Sequence, residues 1–217
     1  MRRGGERRRL AAMTTHSHVA SRERRRLRLG GSRGNEILTS VNAVVLIALI
    51  GAQLVTVLAL ESMIRVHLFV GVVLLGPVAL KLATTGYRFV RYYAGARDYR
   101  QKGPPPIVLR AIAPLFVAAT IGLFASGVAL LIAGDGEGGV RGIHVASFWI
   151  WIGCLVVHVA FNAREVVRNV RGEWFSRARA RIVGTELRAA LVLSSILGGL
   201  LVAVALVSKI TGYELGD

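Results

Sequence analysis

Histidine is scarce in this chain, and three of its five copies lie in apolar sequence. His144 and His158 belong to the uncharged stretch 142–163, GIHVASFWIWIGCLVVHVAFNA, and His67 begins a second apolar stretch that also contains Lys81. Ionisable side chains are costly to place in apolar surroundings, so those found there tend to bind ligands or metals or to transfer protons. These four side chains are therefore the candidates for chemistry.

The four residues form two pairs with the same spacing. His144 and His158 are 14 residues apart, and so are His67 and Lys81. On an α-helix this separation gives ~21 Å of rise and ~40° of rotation, so each pair lies on roughly one helix face, near opposite ends. If both helices cross a bilayer in the same direction, His67 lies at the depth of His144, and Lys81 lies at the depth of His158.

Two imidazoles at one depth on facing helices can bind a haem iron from opposite sides. His67 and His144 satisfy this condition. His67 and His158 do not, because they differ by ~20 Å along the membrane normal. We therefore predict one haem b with His67 and His144 as axial iron ligands.

Three residues beside these histidines fit the same hypothesis. Arg65 precedes His67 by two residues, and Arg141 precedes His144 by three. Guanidinium groups form charge-assisted hydrogen bonds with carboxylates, so both arginines can hold haem propionates. Gly71, one helical turn after His67, can make room for the porphyrin face.

His158 has a lysine, and not a second histidine, at its predicted depth. It can ligate a second, inner haem, form a buried hydrogen bond or relay protons, and the sequence leaves these alternatives open. Lys81 is predicted to extend its amine to the nearby lipid head groups. Each histidine alone is also compatible with a polar side chain at the membrane interface that binds no cofactor.

Five apolar stretches are long enough to carry these residues across a bilayer. A hydrocarbon core of ~30 Å needs ~20 apolar residues. The stretches cover residues 37–60, 66–86, 111–134, 142–163 and 189–208. We predict an all-α integral membrane bundle of five transmembrane helices, in which short loops make successive helices antiparallel neighbours. Residues 1–36 are predicted to form a disordered basic arm, and residues 210–217 a short outer tail.

Small residues predict where these helices approach each other closely. They recur every four residues on two of the spans, and such stripes let helix backbones come together. The stripes are Ala118, Gly122 and Ser126 on the third span, and Ser195, Gly199 and Ala203 on the fifth. We interpret them as packing surfaces without chemistry.

The chain is strongly basic, with a formal net charge of +16. Its basic residues flank the apolar stretches and are not interleaved with exposed aromatic residues, so we predict contact with membrane lipid and no nucleic-acid binding. Of the 28 Lys and Arg residues, 24 fall on one side of the predicted spans. Because Lys- and Arg-rich loops stay cytoplasmic, we predict a plasma-membrane protein with a cytoplasmic N-terminus and an outer C-terminus.

The histidine arrangement resembles that of the membrane cytochromes b. Two histidines 14 residues apart on one helix, with an outer histidine on another, are similar to the haem subunits of formate dehydrogenases and hydrogenases. The resemblance covers roughly residues 65–163. The stretch RVHLFVGVVLLGPVALKLATTGYRFVRYYAG also resembles multi-pass membrane proteins of actinobacteria. The resemblance implies an electron-transfer subunit and not a stand-alone catalyst. In that family an inner haem also has two histidines, and Lys81 departs from this pattern.

A haem near one membrane face cannot by itself carry electrons across ~30 Å of hydrocarbon. Transfer would require either a second haem at His158 or a quinone bound on the inner side. The sequence has no nucleotide-binding glycine motif and no iron–sulfur cysteine set, so we expect a redox partner protein. The alternative is a non-enzymatic multi-pass protein, a transporter-like subunit or a scaffold, in which Lys81 and His158 form an intramembrane polar pair and no haem is bound.

Overall fold

The computed structural model of the chain describes residues 31–101, 103–104, 106–134, 138–174 and 184–213. Within these ranges the chain is helical and has no β-strand. The described helices, in chain order, are α1 Gly31–Leu58, α2 Leu60–Tyr93, α3 Arg97–Arg100, α4 Ile107–Ala133, α5 Gly138–Trp174, α6 Thr185–Ala205 and α7 Val207–Thr211.

Among the described helices, five are long and apolar enough to cross a membrane, and these are α1, α2, α4, α5 and α6. Large apolar side chains point outward along them; Trp149 is 67% exposed and Leu201 is 70% exposed. In water such a surface would be unfavourable, whereas contact with lipid tails accounts for it. The predicted five-span, all-α architecture is confirmed, and the chain is a multi-pass membrane protein.

Two of the helices extend well beyond the predicted spans. α2 has 34 residues and α5 has 37. At ~1.5 Å per residue, each exceeds 50 Å in length, compared with a hydrocarbon core of ~30 Å. Both continue past the predicted spans at the end that contains Arg91 and Arg171, which we call the arginine-rich end. The opposite end, which contains His67 and His144, is called the histidine end.

Residues 31–36, which were predicted to belong to the disordered arm, instead form the first turns of α1. Side chains near this helix end are bound to the neighbouring helices. Asn35 donates to the main-chain oxygen of Thr84 on α2 at 3.1 Å. Asn169 on α5 donates to Glu36 at 3.3 Å and to Ser40 at 3.0 Å. These contacts fix the turns; residues 1–30 of the arm lie outside the described residues.

The helices pack as two hairpins with a fifth helix outside them. α1 and α2 are joined through Ala59 alone and pack closely, as do α4 and α5. The first hairpin meets the second mainly where α1 packs against α5. The expectation that successive spans are neighbours holds for both hairpins but is wrong for α6, which packs mainly on α2 and not on α5.

The contact of α2 with α6 depends on two glycines. A Cβ built at Gly76 would overlap the carbonyl oxygen of Ser195, and one at Gly199 would overlap that of Val73. Pro77 has no N–H, so the Val73 carbonyl lacks its helical donor, and a Cα–H of Gly199 points at this oxygen instead. The predicted small-residue stripe on α6 is therefore the surface by which α6 packs on α2.

The last described residues also pack on the bundle. The region predicted as an outer tail begins within α7, where Ile210 is buried together with Tyr213, against Val72 of α2 and Leu131 of α4. This segment covers the histidine end of the bundle. Residues 214–217 of the predicted tail lie outside the described residues.

Candidate functional site

His67 and His144 line one cavity at the histidine end of the bundle. The cavity has a volume of about 190 Å³ and is bounded by α1, α2, α4 and α5, with Tyr213 at its edge. Most of its lining is aliphatic or aromatic. The polar side chains in its wall are Gln53, His67, Arg141, His144 and Tyr213. A concave apolar cavity on which a few polar groups converge is the usual form of a small-molecule or cofactor site.

The hydrogen bonds of His144 determine which ring nitrogen carries the proton. Its Nδ1 lies 3.0 Å from the main-chain oxygen of Leu123 and 3.1 Å from the hydroxyl of Ser126. A carbonyl oxygen can only accept, so Nδ1 carries the hydrogen and donates it. In the neutral imidazole, Nε2 then holds the lone pair that a metal ion requires.

His67 has the same tautomer for a different reason. Its Nδ1 lies 3.0 Å from the hydroxyl of Thr56 on α1. Thr56 already donates its single hydroxyl hydrogen to the main-chain oxygen of Gln53, at 2.6 Å. The hydroxyl must therefore accept from Nδ1–H of His67, which again leaves the lone pair on Nε2. Both predicted ligands thus have Nδ1 bonded and Nε2 available.

Two glycines give the cavity its width. A Cβ at Gly127 on α4 would lie 3.1 Å from Cε1 of His144, which is closer than side-chain carbons normally pack. A Cβ at Gly71 would lie 3.3 Å from Nε2 of Gln53. Gly71 lines the cavity, as its predicted role requires. The backbone forms the wall at both positions, which leaves a space that any side chain would fill.

The two predicted arginines are placed differently. Arg141 lies in the turn of α5 before His144 and lines the cavity. Arg65 is exposed and is not part of the cavity lining. The positive charge in the cavity wall is therefore that of Arg141.

His158 and Lys81 lie away from this cavity, toward the arginine-rich end. The His158 ring packs against Phe116, with 5.4 Å between ring centroids, and its main-chain oxygen accepts from Asn162 at 2.7 Å. Neither His158 nor Lys81 is part of the cavity lining. The Lys81 amine, which was predicted to reach the head groups, donates to the main-chain oxygen of Thr39 on α1 at 3.3 Å. The two residues therefore belong to a separate polar region.

The contributions of α1 and α4 to the site were not predicted from the sequence. Gln53 and Thr56 hold His67, and Ser126 and Gly127 surround His144. Gln53 and Thr56 are polar residues within a span of otherwise mainly apolar residues, which is a signal that could have identified them. Ser126 was assigned to a packing stripe, and its position four residues after Gly122 gave no indication of a contact with His144.

The fold and the site define a multi-pass helical membrane protein with two histidines facing one apolar cavity. Within the described ranges, no group of three or more His, Cys, Asp or Glu side chains could hold a metal ion. Comparison with protein-family models, curated proteins and solved structures finds no match.

Proposed function

We propose that the protein is a b-type haem-binding electron-transfer subunit of the plasma membrane, with haem b held between His67 and His144. One observation carries the proposal. The two histidines come from different helices, line one apolar cavity, and both have Nδ1 bonded to an acceptor. This is the arrangement by which proteins orient histidine ligands and present Nε2 to a metal.

The other residues of the cavity support this assignment. Gly71 and Gly127 leave space beside the two imidazoles, and Arg141 would bind a propionate carboxylate at the cavity wall. A bound haem supplies reversible one-electron transfer. With both His67 and His144 holding the haem, no site on it would remain for a substrate, which favours electron transfer over catalysis.

We further propose that the arginine-rich end faces the cytoplasm and that a redox partner protein exchanges electrons with the site. Transfer across ~30 Å of hydrocarbon also needs a carrier on the inner side. The other two histidines among the described residues, His67 and His144, both line the cavity at the opposite end, so neither can pair with His158. This favours a quinone over a second haem as the inner carrier.

The proposal is tested by difference spectroscopy on protein purified in detergent from cells supplied with haem. The dithionite-reduced minus oxidised spectrum should contain a b-type α band and a shifted Soret band. His67→Ala and His144→Ala should each remove these bands, while the matched variant His158→Ala retains them. A stable wild-type protein without these bands would contradict the proposal and favour a haem-free scaffold or transporter-like subunit.

A further inference from the structure

A chain of hydrogen bonds on α1 lies behind His67. Thr56 is 2% exposed, and its hydroxyl is 3.0 Å from Nδ1 of His67 and 2.6 Å from the main-chain oxygen of Gln53. The direction of each bond is fixed, because the carbonyl can only accept and the hydroxyl has a single hydrogen. The imidazole therefore donates to the hydroxyl, and the hydroxyl donates to the carbonyl.

The side chain of Gln53 restrains the same ring from another direction. Its Nε2 lies 3.1 Å from Nδ1 and 3.2 Å from Nε2 of His67, and it donates to the main-chain oxygen of His67 at 3.0 Å. An atom nearly equidistant from both nitrogens at this range lies over the face of the imidazole and not in its plane. Gln53 therefore limits the tilt of the ring without blocking the in-plane lone pair.

The two histidines differ in what holds them. His144 donates to the main-chain oxygen of Leu123, which no side-chain substitution removes. His67 depends on a side-chain hydroxyl for its acceptor. Of the two candidate ligands, His67 is thus the one whose tautomer a single substitution can change.

We propose that Thr56 is a positioning residue that keeps His67 in the Nδ1–H tautomer, with Gln53 restraining the ring plane. The tautomer of His67 is a property of the protein alone. The effect of Thr56 and Gln53 on redox chemistry rests on the proposed haem function. An acceptor on Nδ1 makes the opposite nitrogen a stronger electron donor to a metal. Loss of the Thr56 hydroxyl therefore weakens His67 as a ligand and favours the reduced iron.

The tautomer is measured on haem-free protein labelled with ¹⁵N-histidine, with His67→Ala used to assign the ring signals. Wild type should show a protonated Nδ1 and an unprotonated Nε2 at His67. Thr56→Val should shift the hydrogen toward Nε2, and Thr56→Ser should restore the wild-type pattern. The matched control is Thr120→Val, since the buried Thr120 hydroxyl bonds only within its own helix, to the Phe116 oxygen at 2.7 Å.

The redox consequence is measured on haem-loaded protein. Thr56→Val should lower haem affinity by roughly 10- to 100-fold, as is typical when a partner of a metal-ligating histidine is lost, and should move the midpoint potential to more positive values. Thr120→Val should leave both the haem affinity and the midpoint potential unchanged.

Three results separate this inference from the proposed function. If His67 in the wild type carries its hydrogen on Nε2, the inference is overturned whether or not any variant folds. Equal potentials in Thr56→Val and wild type, each with bound haem, would overturn the role of Thr56 alone. A wild type with the expected tautomer that binds no haem would refute the function and leave the positioning of His67 supported.

Discussion

The imidazole of His144 packs directly against Gly127, where a side chain would crowd the ring. A Cβ at this position would lie 3.1 Å from Cε1 of His144, and the ring is also held from the side by the Leu123 oxygen. Neither neighbour can be moved without moving α4. The position of this ring is therefore more sensitive to added volume at Gly127 than to the loss of any one hydrogen-bonding side chain.

This difference predicts opposite outcomes for two neighbouring substitutions. Gly127→Leu should displace the His144 ring and abolish haem binding. Ser126→Ala removes one acceptor but retains the Leu123 oxygen, so most of the haem should remain bound. The measurement is the haem-to-protein ratio after purification, with size-exclusion profiles to confirm that both variants fold. Equal haem content in both variants would show that Gly127 does not shape the site.

At the scale of single residues, the sequence predicted the pair His67 and His144 but not the residues that hydrogen-bond to them. Counting residues along two helices placed His67 and His144 at one depth, because rise per residue is nearly constant in a helix. Such a count of residues could not predict that Thr56 on α1 faces His67 on α2. The rotation of α1 about its own axis is set by packing, and a span that is apolar on most faces gives little indication of it.

Among the described glycines, Gly76 and Gly199 at the contact of α2 with α6 leave the least room for a Cβ. A Cβ at Gly199 would overlap the carbonyl oxygen of Val73, so even a methyl group forces the helices apart. Such overpacking typically costs about 1–3 kcal/mol and can cost more. Gly198, the adjacent residue, has nothing within 4 Å of its Cβ position.

These two glycines form a matched pair for mutagenesis. Gly199→Ala should lower the thermal unfolding midpoint in detergent, because the new methyl group meets backbone. Gly198→Ala should keep or raise the midpoint, since alanine favours the helix over glycine by ~1 kcal/mol. The midpoint can be followed by circular dichroism or by tryptophan fluorescence. If the two variants have the same midpoint, the α2–α6 contact contributes little to stability.

Hydropathy predicted the existence of each of the five spanning helices among the described residues, but not where each one ends. It reports where a segment leaves hydrocarbon, whereas a helix continues as long as its backbone bonds and contacts are favourable. Residues 31–36 and 164–174 are polar continuations of α1 and α5, joined through Asn169, Glu36 and Ser40. The contact of Asn169 with Glu36 and Ser40 joins residues more than 125 positions apart in the chain, so no local sequence pattern could predict it.

For the whole molecule, the uneven distribution of charge between the two ends predicts the topology. The arginine-rich end should face the cytoplasm, since basic loops resist translocation. Cysteine labelling tests this, because Cys154 is the single native cysteine and is buried. In a Cys154→Ser background, Ser62→Cys at the histidine end should react with a membrane-impermeant maleimide in intact cells.

The corresponding substitution at the other end is Ala94→Cys, which should react only after the cells are lysed. Both positions are exposed in the structure, so a difference in labelling reports their side of the membrane and not their burial. Labelling of Ala94→Cys in intact cells, with Ser62→Cys protected, would reverse the proposed orientation. It would also move the candidate haem site to the cytoplasmic face.

The division into two hairpins has a consequence for how the site is made during synthesis. Thr56, Gln53 and His67 lie on α1 and α2, which are joined by Ala59 and leave the ribosome first. The contacts of the candidate ligand His67 with Thr56 and Gln53 lie entirely within the first hairpin. The contacts of His144 with Leu123 and Ser126 lie entirely within the second hairpin, α4 and α5. A cofactor that needs both halves can be captured only when the two hairpins dock, late in biogenesis.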